Sequence, residues 1–254
     1  MPNNSRSKYR LKELATSGDS ELGAEHHHRD LQGGAARAAI FGINDGLVSN
    51  TAIILGVVGA HPGPAVVRLV GISGMLAGSF SMAAGEYISM NAQRELYERE
   101  LELEASELVN RPESEHRELR NIYESRGVDP ELADILATNM MRDPDQALRT
   151  HAREELGINP ENLGSPWQAS IASLFATAVG GFIPLSVWFI LSSTAAVIGT
   201  IVSVGIAALL VGVALGKFTG RSLIFSGIRQ LMFCGLAAGI TYGIGHLVGI
   251  SGIG

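Results

Sequence analysis

Five long apolar stretches restrict the fold of this chain more than any other feature. A membrane-spanning helix needs about 20 predominantly apolar residues, and each stretch exceeds that length. They lie at residues 36–60, 66–90, 167–191, 194–216 and 224–250. We therefore predict an all-α membrane protein with five transmembrane helices in contact with lipid.

Charged residues are concentrated between the second and third spans. Residues 92–165 hold 18 of the 25 acidic residues, whereas residues 166–254 hold none. This segregation predicts four segments. They are a polar tail at 1–30, two spans at 31–91, an acidic helical domain at 92–165, and three spans at 166–254. We expect the Glu-rich run at 91–109 to continue the second span as one helix.

Basic residues indicate the orientation in the membrane. Arg29 precedes the first span and Arg37 lies at its start, and Lys217 and Arg221 lie between the fourth and fifth. Short cytoplasmic loops are enriched in Lys and Arg, and these residues fall on the side of the acidic domain. We therefore expect the N-terminus and the acidic domain to be cytoplasmic.

Glycines recur at intervals of four in the spans. Such spacing allows close contact between membrane helices, but it leaves open whether the contact lies within one subunit or in a homodimer. The pattern comprises Gly42 and Gly46, Gly74 and Gly78, and Gly235, Gly239 and Gly243.

Two carboxylates fall inside the predicted spans. Asp45 lies in the first span and Glu86 near the inner end of the second. A buried carboxylate in a membrane is costly unless it is paired, neutralised or facing water. Met82 shares a helix face with Glu86 and adds a soft thioether ligand, which favours a transition metal over Mg²⁺ or Ca²⁺. The three side chains predict a metal pathway in which the carboxylates also carry protons.

The acidic domain contains two Glu-x-x-Glu pairs, and residues three apart share a helix face. A helix break near Pro112 lets the two pairs fold toward each other. Because close carboxylates repel, a divalent cation would stabilise them, and oxygen ligands suit Mn²⁺, Fe²⁺ or Mg²⁺. The pairs are Glu104 with Glu107 and Glu115 with Glu118.

The residues alone leave three alternatives open. A Glu-rich helix is often only a solvated surface. The acidic domain could also bind or sense metal while the spans merely anchor it, although an anchor does not require buried acids. Glu113-x-x-His116 has the form found in di-iron sites, but we find no second such motif and predict that the protein is not an enzyme.

Two motifs resemble signatures of the vacuolar iron transporter family. One is Asn44-Asp45-Gly46-Leu47-Val48-Ser49-Asn50, and the other is Ser81-Met82-Ala83-Ala84-Gly85-Glu86-Tyr87-Ile88-Ser89. The resemblance continues through the Glu-rich helix to Glu154-Glu155-Leu156-Gly157 and extends over residues 30 to 250. The Arg-rich, Lys-poor composition suggests a bacterial member, in the plasma membrane.

The resemblance implies a homodimer that exports Fe²⁺, and often Mn²⁺, from the cytosol in exchange for protons. We expect no resident cofactor and no nucleic-acid partner. Asp45, Met82 and Glu86 match the family's pathway residues, and the two Glu-x-x-Glu pairs match its cytoplasmic metal ligands.

Further family ligands are a Glu before Leu-Gly, here Glu155, and two adjacent Met. The Met positions are occupied by His151 and Ala152 in this chain. We expect His151 to replace one Met as a nitrogen ligand.

Overall fold

The computed structural model describes residues 34–250, without the side chain of Ile250. The predicted polar tail at 1–30 lies outside the described residues. Within them the chain is entirely helical, and five helices are long and apolar enough to cross a membrane. This confirms the prediction of an all-α membrane protein with five spans.

The five spanning helices follow the apolar stretches closely. They are α1 (Gly34–Gly59), α2 (Pro64–Asn110), α6 (Pro166–Ile190), α7 (Ser193–Thr219) and α8 (Leu223–Ile250). The 47 residues of α2 form one uninterrupted helix, which is about 70 Å long at 1.5 Å per residue. The helix therefore extends far beyond the bilayer and carries the Glu-rich run, as predicted.

Three short helices connect α2 to α6. They are α3 (Pro112–Ser125), α4 (Pro130–Met140) and α5 (Pro144–Glu154). Each begins with a proline, which suits the first helical position because its missing N–H is not needed there. The side chains of Asp129 and Asp143 cap α4 and α5 by accepting backbone N–H bonds. The short helices are thus separated by local signals in the sequence.

Helix α1 is central to the bundle and packs against α2, α6, α7 and α8. It approaches α6 closely. A Cβ atom at Gly42 would lie 2.9 Å from the hydroxyl of Thr177, and one at Gly46 would overlap the backbone of Thr177. These two glycines therefore serve packing within the subunit.

The three α8 glycines of the predicted pattern face outward instead. A Cβ atom at Gly235, Gly239 or Gly243 would meet no atom of the described chain within 4 Å, and the same holds for Gly78 on α2. Gly74 belongs to the inner set, because its Cβ would lie 2.9 Å from Oδ1 of Asn50. The predicted glycine pattern thus divides into a packed set on α1 and an exposed set on α8.

Candidate metal centre and membrane cleft

Four ligand side chains converge where α2, α3 and α5 meet. Glu104, Glu115, His151 and Glu155 each offer one ligand atom, and these four atoms all lie within 4.8 Å of one another. We call this group the acidic centre. Three of its side chains are almost fully buried, and Glu155 is 29% exposed.

Local sequence explains why these residues meet. Helix α2 ends at Asn110, and the non-helical backbone of Arg111 turns the chain into α3. Glu104 and Glu115 therefore stand on opposite sides of one helix break. His151 and Glu155 are four residues apart, which places them on one face at the end of α5. Arg126, at the end of α3, contacts both the carboxylate and the backbone oxygen of Glu154 and so links α3 to α5.

His151 lies at the middle of the acidic centre and is fully buried. Its Nδ1 lies 3.0 Å from Oε1 of Glu104, 3.7 Å from Oε2 of Glu155 and 3.9 Å from Oε2 of Glu115. Neither ring nitrogen, nor Oε1 of Glu104, has a hydrogen-bond partner among the described residues. Buried polar atoms are nearly always satisfied, so these three atoms are available as ligands.

Burial and mutual repulsion shift the protonation of the centre. Burial, followed by the charges of Glu104 and Glu118, raises the pKa of Glu155 to about 7. The pKa of Glu115 is also raised, by burial and then by Glu104 and Glu118. Burial alone lowers the pKa of His151, but its carboxylate neighbours outweigh that effect and raise it. The centre therefore holds protons near neutral pH that a cation would displace.

The donor set suits a first-row transition ion. Three carboxylates supply oxygen ligands, and one imidazole supplies nitrogen, a ligand that Fe²⁺ accepts and that Mg²⁺ and Ca²⁺ disfavour. Ala152, at the second position that the resemblance assigns to Met, is buried but has no ligand atom.

The other two predicted glutamates lie outside the four-residue group. Glu107 is exposed, and its Oε1 lies 3.9 Å from Nη1 of Arg111. Glu118 is also exposed, although its charge raises the pKa of Glu115 and Glu155. Each Glu-x-x-Glu pair thus contributes one buried member, whereas the other member faces solvent at the edge of the centre.

A second group of predicted residues lines a cleft between α1 and α2. The cleft has a volume of about 410 Å³ and is lined by Asp45, Met82 and Glu86 together with small residues of both helices. Along α2 it extends from Gly74 to Glu86, which is about 18 Å of helix. We call it the membrane cleft.

Arg37 pairs with Glu86, the residue at the end of the membrane cleft nearest the acidic domain along α2. Its Nη2 donates to Oε1 of Glu86 at 2.8 Å, and the Glu86 side chain is 13% exposed. Sequence analysis treated Arg37 only as an orientation marker and missed this pairing. The signal was the unpaired carboxylate of Glu86, because an acid in a membrane span needs a partner.

The candidate di-iron motif, Glu113-x-x-His116, lies outside the acidic centre. His116 contacts the hydroxyl of Thr138 at 2.9 Å through Nε2 and lies 3.9 Å from Asp134 through Nδ1. Glu113 is exposed. Neither residue belongs to the acidic centre.

Comparison with known proteins identifies extended similarity. The sequence profile described as the VIT family matches residues 36–246. "Vacuolar iron transporter" of Acanthamoeba castellanii is 35% identical over 228 residues, which cover 89% of this chain and 84% of that protein. "Vacuolar iron transporter 2" of Oryza sativa subsp. japonica is 30% identical, covering 88% of this chain and 92% of that protein. "Vacuolar iron transporter 1" of Arabidopsis thaliana is 27% identical, covering 87% and 90%.

Proposed function

The chain belongs to the VIT family, and we propose that it exports Fe²⁺, and also Mn²⁺, from the cytosol in exchange for protons. The observation that carries this proposal is the membrane cleft. It brings a carboxylate from α1 together with a thioether and a carboxylate from α2 inside the predicted bilayer. The names of the relatives support iron as the cargo.

Metal would first bind at the acidic centre. Glu104 and Glu86 lie on the same uninterrupted helix, 18 residues apart, which corresponds to about 27 Å along its axis. The centre thus stands at a fixed distance from the mouth of the cleft. A negatively charged centre there raises the local concentration of divalent cations.

Arg37 would regulate entry into the cleft. With no metal present its guanidinium neutralises Glu86, so the carboxylate is not left alone in a medium of low dielectric. An entering divalent ion would take the place of Arg37, whose side chain is 51% exposed and can turn toward water. The negative charge of Glu86 would then be balanced both without metal, by Arg37, and with metal, by the bound ion.

Proton exchange follows from charge balance. A divalent ion that leaves Asp45 and Glu86 would leave two carboxylates inside the membrane, and protons entering from the far side would neutralise them. At the acidic centre, Glu155 with its pKa of about 7 would release a proton when metal binds.

A homodimer would complete the cleft. Asp45 is exposed in the single chain although it lies in a spanning helix, and an ionised carboxylate facing lipid is strongly unfavourable. A second copy packed over the cleft would shield Asp45 and enclose the cation. The exposed glycines of α8 offer a further surface for close contact between subunits.

Membership of a transporter family confirms the expectation that the chain is not an enzyme. It also favours transport over the alternative of a membrane-anchored metal sensor. For location we propose a bacterial plasma membrane, with residues 92–165 as a cytoplasmic metal-binding domain. The Arg-rich, Lys-poor composition supports the bacterial assignment. The basic residues beside the spans support the cytoplasmic position of residues 92–165.

Flux into proteoliposomes tests the proposal. Fe²⁺ (kept reduced with ascorbate) and Mn²⁺ would be compared with Co²⁺, Ni²⁺ and Zn²⁺ under an imposed pH difference. Met82→Leu removes the thioether and keeps the volume, so it should lower Fe²⁺ flux. Met75→Leu is the matched control, because Met75 packs against α6 outside the cleft. Equal Fe²⁺ flux in the unmodified protein, Met82→Leu and Met75→Leu, unaffected by the pH difference, would contradict the proposal.

A further inference from the structure

Two imidazoles meet at the end of the bundle farthest from the acidic centre. His61 lies in the connection between α1 and α2, and His246 lies near the end of α8. Their ring centroids are 5.7 Å apart, with the ring planes inclined at 58°. Both residues are exposed, and neither has a part in the function proposed above.

Close backbone contact fixes the helices that carry these rings. A Cβ atom at Gly245 would overlap the backbone oxygen of Gly56, and one at Gly249 would lie 2.8 Å from Cα of Ala60. Because α1 and α8 touch through their backbones here, the attachment points of the two imidazoles have little freedom to separate.

The backbone of His61 is itself unusual. Its φ of 57° lies in the left-handed region, which few residues other than glycine adopt. Two residues after the end of α1, this conformation sets the direction in which the imidazole leaves the chain. The ring therefore projects from a defined turn in contact with α8.

The separation of the rings matches two imidazoles on one ion. With metal–nitrogen bonds of about 2.0–2.1 Å and each nitrogen about 1.1 Å from its ring centroid, tetrahedral ligation places the centroids about 5.2 Å apart. A linear arrangement would give roughly 6.4 Å by the same bond lengths. The observed 5.7 Å lies between these limits.

We propose that His61 and His246 form a second metal site, selective for Cu²⁺, Ni²⁺ or Zn²⁺ over Mn²⁺. Imidazole nitrogen suits the first three ions, and affinity for a given nitrogen site rises along the series from Mn²⁺ to Cu²⁺. His61 also lines a cavity of about 390 Å³ together with Trp188 and Tyr242, so the His61 side of the pair is open to water. A bound ion would tie the α1–α2 connection to α8.

Cu²⁺ titration of the full-length protein, followed by electron paramagnetic resonance, tests this site separately from transport. The sequence has seven histidines, so the three at positions 26–28 are first replaced by alanine. In that background we expect a Cu²⁺ signal with splitting from two nitrogens, distinct from the one-nitrogen signal of the acidic centre, whose four ligand side chains include one imidazole, His151. His61→Gln or His246→Gln alone should weaken Cu²⁺ binding at this site by at least about tenfold, because loss of even a residue that only hydrogen-bonds to a ligand costs that much.

His151→Gln and His116→Gln are the matched controls. A paired site predicts that either single substitution at His61 or His246 removes the two-nitrogen signal as completely as the double substitution. Both controls should retain that signal, and thermal unfolding in the absence of metal checks that each variant is folded. A signal unchanged in His61→Gln and His246→Gln, or lost only in His151→Gln, would overturn the proposal.

Discussion

Nδ1 of His151 lies 3.0 Å from Oε1 of Glu104, and neither atom has a hydrogen-bond partner among the described residues. A fully buried histidine beside three carboxylates would normally be satisfied by hydrogen bonds. Glu115 and Glu155 add two further carboxylates, and one ligand atom of each of the four residues lies within 4.8 Å of the others. We therefore propose that His151 takes the place of a family Met and supplies a nitrogen ligand where the family has a thioether.

Removal of this imidazole should weaken metal binding. We expect His151→Ala to reduce the affinity of the acidic centre for Fe²⁺ and Mn²⁺ by about tenfold or more, since even outer ligands contribute that much. Calorimetric titration of the purified protein measures the effect. His116→Ala is the control, because His116 contacts Thr138 and Asp134 and not the centre. Equal losses in both variants would exclude a specific role for His151.

His151→Met should bind metal more tightly than His151→Ala does, but with a different preference between Fe²⁺ and Mn²⁺. A thioether is a softer ligand than imidazole and does not suit Mn²⁺. Competition titrations should therefore show a larger loss for Mn²⁺ than for Fe²⁺ relative to the unmodified protein. An unchanged ratio of the two affinities would argue that residue 151 does not contact the ion.

Metal affinity should rise with pH across neutrality. Glu155 has a pKa of about 7 in the metal-free protein, so below pH 7 a cation must displace its proton, and above pH 7 it does not. Mn²⁺ titrations between pH 5.5 and 8 should show this increase, and Glu155→Gln should reduce it without abolishing it, because His151 must also lose its proton to bind metal. Glu102→Gln, an exposed neighbour on α2, should keep the full pH dependence.

The metal-free protein should become less stable over part of the same range. Because the pKa of Glu155 is raised from 4.5 to about 7, the folded state binds more protons than the unfolded state between these values. The contribution of Glu155 to the free energy of unfolding is therefore fully present below pH 4.5 and is lost as pH rises through 7. Thermal unfolding with and without Mn²⁺ measures this, and added Mn²⁺ should reverse the loss.

The ion pair of Arg37 with Glu86 predicts a particular kinetic result. Arg37→Gln removes the competing cation, so the KM for metal should fall while the turnover rate also falls, because the ion is released from Glu86 less readily. Arg37→Lys should restore most of both values. Arg94→Gln breaks a surface pair with Glu98 and should leave both unchanged. A raised KM in Arg37→Gln would contradict the proposed displacement.

Packing of α1 on α6 should tolerate no added side chain. Gly46→Ala places a methyl group on the backbone of Thr177, and overpacking of this kind costs about 1–3 kcal/mol. Gly239→Ala meets open space and should leave the thermal stability of the monomer unchanged. Similar unfolding temperatures for both variants would show that the two helices are not in close contact.

Sequence reasoning located the helices well, because apolar length and helix-starting prolines are local signals. Helices α1, α6 and α8 each lie within two residues of their predicted spans at both ends. The approach of Glu104 to Glu115 could also be predicted, from their spacing and from the predicted helix break. The exposure of Glu107 and Glu118 could not be predicted, because it depends on how α3 and α5 pack on α2. The Arg37–Glu86 pair joins residues 49 positions apart, and such contacts leave no periodic pattern in a single sequence.

Simultaneous measurement of metal and proton movement in proteoliposomes tests the membrane cleft most directly. Entrapped metal-sensitive and pH-sensitive dyes would report Mn²⁺ flux and the opposing proton flux for the unmodified protein, Asp45→Asn and the Glu102→Gln control. We predict coupled fluxes in the unmodified protein and in Glu102→Gln, and loss of both in Asp45→Asn. Undiminished Mn²⁺ flux in Asp45→Asn, or Mn²⁺ flux without proton movement in the unmodified protein, would contradict a proton-coupled pathway through this cleft.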